Sequence, residues 1–250
     1  MTAHAAIRVD EAREVAELRA YLGHSYDHSR LEAWEAQLDE ELALIGDEQA
    51  FYRRSEGYLY NLTAFAITGT KRPYLDDLTR LAAPGARVLD FGCGIGSDGL
   101  ALAEAGYEVT FTDFDNPSTR YLRWRLEQRG VRAAFHDLDA GDPPGGHDLA
   151  FAFDVIEHVD EPLAALGRME RAAATVLVNL LEPEQGETPL HHTLDVPALL
   201  AHAARRRPSH YRRYWGRSHL VAWGAGGPLR SAGARVRLSL AGRRAPAPAR

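Results

Sequence analysis

The sequence predicts an α/β fold organised around an open, mainly parallel sheet, and three observations predict it. Two apolar runs, Arg87–Phe91 and Glu108–Thr112, flank a helical stretch between Gly96 and Gly106, which is the pattern of a βαβ unit. Glycines stand at alternate positions, Gly92, Gly94 and Gly96, directly after the first run. Acids mark the carboxyl ends of both runs, Asp90 and Asp113, where an open α/β sheet gathers its ligands.

The elements follow in chain order. Residues 5–22 read as an amphipathic helix carrying Val15, Leu18 and Leu22 on one face. Ser29 and Glu32 have capping-box spacing and open a helix whose stripe is Leu31, Trp34, Leu38, Leu42 and Ile45, ended by Gly46. These helices bury their stripes either as a lid over the ligand site or in a homodimer contact. Residues 51–74 are dense in aromatics: Tyr52, Tyr58, Tyr60, Phe65 and Tyr74. Pro73 begins a helix to Leu81, and Pro84-Gly85 turns the chain into the first strand. A helix over 116–129, with Tyr121, Trp124 and Leu126 partly buried, stops at Gly130. Val131–Phe135 is a third strand leading to His136-Asp137, and the turn Gly141–Gly146 opens a fourth, Asp148–Phe153. A helix over Glu161–Ala173, a fifth strand over Thr175–Leu180 and a polar loop over Glu182–Thr188 come next. Asp195 caps a helix over Val196–Arg205. Tyr211–Trp215 and His219–Trp223 form a hairpin, with a rival register pairing His219–Trp223 to Arg235–Leu240.

Composition bounds the function. A chain of 250 residues holds one such domain plus decoration, and 45% hydrophobic with 26% charged residues is the balance of a soluble globular protein. No apolar run approaches a membrane span and the start lacks a signal-peptide core, so no membrane partner and a cytoplasmic location are expected. The single cysteine, Cys93, excludes a disulfide framework or a thiolate metal cluster. The net charge of −6 hides an asymmetry. After Asp195 there is no Asp or Glu but 12 arginines, so the first 195 residues carry 17 basic against 35 acidic side chains. That acidic body repels polyanions, and the arginines of the tail are diluted with Ala, Gly and Pro, so no nucleic-acid partner is expected. The division read from these features is a helical cover over 1–80, a ligand-binding catalytic domain over 81–224, and a basic tail over 225–250 whose last ten residues are too polar and proline-rich to order.

The ligand is read from the turn. A dinucleotide fingerprint places a third glycine where Ser97 stands. Asp90 beside the turn repels a pyrophosphate but attracts an ammonium or sulfonium charge. S-adenosylmethionine has both cations, an adenosine and no phosphate. Asp113, 17 residues beyond Gly96, suits the two ribose hydroxyls.

Four stretches, VLDFGCGIG (Val88–Gly96), FTDFD with Asp113, HDLD (His136–Asp139) and FDVIEHV (Phe153–Val159), together resemble the class I S-adenosylmethionine-dependent methyltransferases of the small-molecule kind. The resemblance implies a Rossmann-like seven-stranded sheet of order 3-2-1-4-5-7-6 with strand seven antiparallel. It implies that Asp90 and the backbone of Gly92, Cys93, Gly94 and Gly96 hold the methionine end, and Asp113 the ribose. It further implies that Phe114 packs on adenine, Asp137 accepts from its amino group, Leu138 lines the ring, and Asp154 lies near the cofactor. Tyr58, Tyr60, Thr70 and Lys71 are then candidates for the methionine carboxylate. Glu157 and His158 fall at the acceptor side, with His191 of the Pro189–His192 stretch. As a base for a hydroxyl acceptor, His158 or His191 titrates in the right range; for a nitrogen acceptor, Glu157 or Glu182 is the matching group.

The acid-rich body favours an amine or guanidine nitrogen, with oxygen as the alternative, in a small metabolite of bacterial specialised metabolism. No metal is expected: His191 and His192 are adjacent, which on a strand points them to opposite faces, and Asn179-Leu180 offers a single oxygen ligand. Two other readings stay open. One is an RNA or protein methyltransferase docking through the arginine-rich tail; the other is a catalytically silent cofactor-binding subunit.

Overall fold

The computed structural model describes residues 7–184 and 188–224. Its helices are α1 (Glu11–Leu22), α2 (Ser29–Glu32), α3 (Trp34–Ile45), α4 (Glu48–Arg54), α5 (Tyr58–Ile67), α6 (Arg72–Leu81), α7 (Ser97–Glu104), α8 (Pro117–Arg129), α9 (Pro162–Ala172) and α10 (Val196–Ala204). Seven strands, β1 (Arg87–Phe91), β2 (Glu108–Asp113), β3 (Ala134–Asp137), β4 (His147–Ala152), β5 (Ala173–Leu181), β6 (Pro208–Tyr214) and β7 (Ser218–Gly224), make one sheet of order β3-β2-β1-β4-β5-β7-β6. β3 runs parallel to β2, β4 runs parallel to β1 and β5, and β7 runs antiparallel to β5 and β6. This is the order the resemblance implied. The rival partner Arg235–Leu240 and the basic tail lie outside the described residues. Among the described residues, no helix is long and apolar enough to cross a membrane.

The chain divides into two compact units, the first comprising residues up to Ala86 with Gly92–Gly141, the second Arg87–Phe91 with residues from Asp142 onward. In the first unit, α1 and α5 pack on each other and both touch α8. Leu18, Leu31, Leu59, Tyr60, Ala64, Ile95 and Tyr121 form their shared core. The stripe on α1 is therefore covered by the chain's own helices. In the second unit, β4 and β5 carry near-continuous apolar runs, the mark of strands covered on both faces, with Leu166 and Met169 of α9 and Leu199 and Leu200 of α10 buried.

Three sequence expectations are corrected. Residues 29–45 form two helices, because the backbone leaves helical geometry at Ala33 (φ −102°, ψ 21°). The capping box at Ser29 does not form; Asp27 Oδ1 instead accepts from both the backbone N and the hydroxyl of Ser29, at 3.0 and 2.8 Å. A capping box does form 87 residues later, where Asn116 and Thr119 exchange bonds at the start of α8. The third strand begins at Ala134, three residues later than expected, and runs through His136-Asp137.

Charge, not only apolar area, ties α1 to this unit. Arg125 of α8 is fully buried and donates to Glu14 and, at 2.8 Å, to Glu17. Arg129 reaches the same two acids, its Nε to Glu17 at 2.7 Å. Arg125 also donates to Ile95 O at 2.8 Å and Ser97 Oγ at 3.1 Å, and Ser97 Oγ donates to Glu14 at 2.6 Å. The burial of Glu17 opposes its charge, yet the two guanidinium groups hold its carboxyl below the usual range. Removing one partner leaves the others charged and dry. Arg125→Ala is expected to lower stability by about 3–5 kcal/mol in urea unfolding, against less than about 1 kcal/mol for the exposed pair variant Arg8→Ala.

Candidate functional site

In the first unit the glycine turn closes on the end of β2. Gly92 N and Cys93 N both donate to Thr112 O, at 2.9 and 3.1 Å. Gly94 N donates to Asp113 Oδ2 at 2.9 Å, and Phe114 N to Asp113 Oδ1 at 2.8 Å. The chain reaches this geometry with positive φ at Gly92 (70°), Gly94 (52°) and Gly96 (74°), conformations that L side chains avoid. Asp113 is paired in register with Asp137, and Leu138 N donates to Asp113 O at 2.9 Å. Asp113 is 8% exposed, and its burial pushes its pKa up to about 6. The two backbone N–H groups work against that rise, and the charges of Asp137 and Asp139 add to it.

Helix α4 supplies a group the sequence did not reveal. Arg53 grips Asp139 with two bonds, 2.7 and 2.9 Å, and its guanidinium lies 4.8 Å from the centroid of the Phe114 ring. That pairing holds the Asp139 carboxyl below the usual carboxylate range. The aromatic segment is mostly occupied with structure. The Tyr60 hydroxyl accepts from Asp27 N at 2.8 Å and donates to Ser25 O at 3.4 Å, fixing the loop after α1. Tyr58 packs edge-on against Phe51 and Tyr52, and the Thr70 hydroxyl bonds with that of Thr68. Lys71 pairs with Asp98, in the first turn of α7, at 2.6 Å.

The second unit holds a different set. Asp90 is buried near the end of β1. Asp154, just past β4, sits at φ 55° and is held by Asn179 of β5: its N donates to Asn179 Oδ1 at 2.8 Å, and Asn179 Nδ2 donates to Asp154 Oδ1 at 2.7 Å. A non-glycine residue in this conformation is strained, and the reciprocal amide contact supports it. Glu157 and His158 lie in a tight 3-10 turn, Ile156–His158, where neither caps α9. His158 Nδ1 faces Leu190 O at 3.0 Å, and His192 N donates to Glu157 O at 2.7 Å. The His158 and His191 rings meet edge to face with centroids 4.7 Å apart. Glu157, His158 and His191 thus bring one ligand-type atom each within 4.8 Å of the others. Burial, with the neighbouring His191, pushes the His158 pKa down to about 3, so the ring is neutral at physiological pH. His192 lies 3.8 Å from Asp160. Glu182, a candidate for a nitrogen acceptor, is taken by Arg213 at 2.8 Å and His219 at 2.7 Å.

Residues 67–184 match the family model described as "Methyltransferase domain". The chain is 32% identical over 154 residues to a ubiquinone biosynthesis O-methyltransferase of Xanthomonas campestris pv. campestris, covering 58% of this chain and 62% of that protein. A namesake from Xanthomonas euvesicatoria pv. vesicatoria is 31% identical over 62% of this chain and 65% of its own length. The chain thus spans less than two thirds of these relatives. Among solved structures, it shares its fold with PH0226 of Pyrococcus horikoshii OT3 (TM-score 0.53, 16% identity, 70% of this chain and 94% of that one). It also shares it with the magnesium protoporphyrin IX methyltransferase of Synechocystis PCC 6803, solved with bound SAH (TM-score 0.50, 15% identity, 85% and 94%).

The turn tolerates no side chain at its last glycine. A Cβ on Gly96 would lie 2.4 Å from Leu122 Cδ1, and the left-handed backbone adds its own penalty. Gly96→Ala is expected to cost about 2–4 kcal/mol, combining roughly 1–2 for the conformation and 1–3 for overpacking. Chemical unfolding of the variant beside wild type checks this. A Gly46→Ala control, at a positive φ with open space around it, should show the conformational part alone.

Proposed function

We propose, from the match of residues 67–184 to the methyltransferase-domain model together with the glycine-turn motifs of the class I S-adenosylmethionine-dependent methyltransferases, that this chain moves a methyl group from S-adenosylmethionine to an oxygen of a small molecule. The observation that carries the cofactor is the chemistry of the groups around Asp113. The turn offers backbone N–H groups and carboxylates, and Lys71 and Arg53 are each paired with an acid, Asp98 and Asp139. Such a set accepts from hydroxyls and an amino group and offers poor counter-charge to a phosphate. It fits an adenosine without phosphates.

In this reading Asp113 accepts from the ribose hydroxyls, Phe114 and Leu138 line the base, and Asp137 takes the base's amino group. Gly92, Cys93, Gly94 and Gly96 present backbone to the amino-acid portion. Tyr60 serves from behind, its hydroxyl holding the Ser25–Asp27 loop. When bound, S-adenosylmethionine supplies an electrophilic methyl group on a sulfonium that leaves as a neutral thioether. The chain's remaining work is to orient the acceptor, exclude water and take one proton.

Oxygen is favoured over nitrogen by two supports. The relatives named above are O-methyltransferases, and Glu157, His158 and His191 make a group able to receive the proton of a hydroxyl. His158 keeps its own proton on Nδ1 against Leu190 O and stays neutral, which assigns it to positioning. The proton then passes to the His191 imidazole or the Glu157 carboxylate, while the acceptor oxygen forms the new bond to carbon. Incubation with methyl-labelled cofactor and panels of phenols, catechols, amines and guanidines tests this. Label on a hydroxyl compound is expected; label only on amines or guanidines overturns the oxygen assignment, and no transfer to any class favours a silent cofactor-binding subunit.

The Asp113 carboxyl gives the site a pH dependence of known sign. Its folded-state value, about 6, lies above the ordinary carboxylate value, so its contribution to stability is present at low pH and is lost as pH rises through 6. Ribose hydroxyls need the ionised form, so binding runs the other way. S-adenosylhomocysteine affinity measured by calorimetry is expected to fall roughly tenfold between pH 7 and pH 5. Asp113→Ala should weaken binding at pH 7 by about 1–3 kcal/mol and flatten that profile.

A further inference from the structure

The β6–β7 hairpin builds a second cluster of titratable side chains, and its register decides which of them meet. Arg213 pairs with His219 and Tyr211 with Val221 across the hairpin, while Leu180 of β5 pairs with His219 on its other side. Side chains two residues apart along a strand share a face. Tyr211, Arg213 and His219 therefore gather at the carboxyl end of β5, and Glu182, two residues beyond Leu180, joins them. The Tyr211 hydroxyl lies 2.8 Å from His219 Nδ1, and His219 Nε2 lies 2.7 Å from Glu182 Oε1. Arg213 Nη2 donates to both Glu182 oxygens at 2.8 Å. Arg217 fastens the Glu182 backbone, its Nη2 donating to Glu182 O at 2.7 Å and its own O accepting from Glu182 N at 2.9 Å.

These contacts settle where the protons sit. A carboxylate gripped by a guanidinium only accepts, so His219 Nε2 carries the ring proton and Nδ1 the lone pair. The Tyr211 phenol then donates to Nδ1. The order is nucleophile, base and orienting acid, each within hydrogen-bond reach of the next, which is the arrangement that activates a hydroxyl for acyl transfer. Burial holds the Tyr211 phenol above and the His219 imidazole below their ordinary ranges, so both rest neutral. A base in that state is free to take a proton when the phenol attacks. His219 and Glu182 are buried, while Tyr211 is partly exposed.

This cluster takes no part in the methyl transfer described above. We propose that Tyr211 is an activated nucleophile that accepts acyl groups from activated esters and thioesters, with His219 as its base and Glu182 positioning that base. The Tyr211 oxygen bonds to the acyl carbon while its proton passes to His219 Nδ1. The bond from that carbon to the leaving oxygen or sulfur then breaks. The leaving group departs with the electron pair and takes the proton from His219. Water attacks the tyrosyl ester by the same route, giving its proton to His219, and Tyr211 regains it as the acid is released.

The test mixes the full chain with p-nitrophenyl acetate, follows nitrophenol release by absorbance and locates the acetylated residue by peptide mass spectrometry. A burst of about one nitrophenol per chain and an acetyl group on Tyr211 are expected. Tyr211→Phe should abolish the burst and keep the melting temperature of the wild type. His219→Gln should slow acetylation roughly 100-fold. Glu182→Gln should slow it by at least about tenfold, with Glu182→Asp recovering part of the loss. If substitution of the buried His219 unfolds the chain, Tyr211→Phe, which keeps the ring, decides the matter. Absence of a burst, a burst unchanged in Tyr211→Phe, or acetylation of Tyr211 at the wild-type rate in a folded His219→Gln variant overturns the proposal.

Discussion

One buried carboxylate sets the conformation of the first unit's strand ends. Asp113 takes an N–H from Gly94 on one oxygen and from Phe114 on the other, so the glycine turn and the start of the next loop are tied to the end of β2. Neither N–H has a helix or strand partner at this point, and a buried donor left unpaired is costly. The glycines follow from that demand, because only residues tolerant of positive φ bring Gly94 N onto the carboxylate. The arrangement also raises the energy of the carboxylate itself. Burial and the neighbouring Asp137 and Asp139 make its charge expensive, and the two N–H groups offset this only in part. An acid held in so dry a place gains from any further hydrogen-bond donor that reaches it.

The buried charges of α1 serve the same turn from its other end. Arg125 binds Ile95 O and Ser97 Oγ with the guanidinium that also neutralises Glu14 and Glu17. The last residues of the turn are thereby fixed by a helix eighty residues upstream in sequence. An apolar contact of equal area would stabilise α1 as well, but it would not specify the register of Glu14 and Glu17 against Arg125 and Arg129. Helix α1 thereby helps to shape the turn and is more than a cover laid on a finished domain.

Local patterns were legible in the sequence because local physics decides them. The strand at Arg87–Phe91, the glycine stop at Gly130, the Asp195 cap and the hairpin of β6 and β7 stand where side-chain periodicity and turn chemistry put them. The break at Ala33 was hidden because the Ser29–Glu32 spacing matches a capping box, while the competing acceptor, Asp27, stands outside that pattern. The strand order came from the resemblance and not from periodicity, which cannot say which strands are neighbours. Arg53 was illegible for a similar reason: nothing in α4's own sequence marks one of its two arginines as the partner of Asp139.

The histidines show most sharply what spacing can and cannot tell. Adjacent His191 and His192 invited the question of a metal pair, and adjacency argued against it, because neighbours on an extended chain diverge. The structure keeps that part of the argument, since His192 lies toward Asp160 while His191 meets His158. His191 reaches His158 because the tight turn after β4 and the loop after β5 leave parallel neighbours at the same end of the sheet. Parallel strands deliver their carboxyl-end loops to one edge however far apart those loops are in the chain. Side chains that meet in such a fold are therefore to be sought across strand ends, as the backbone bond from His158 to Leu190 shows.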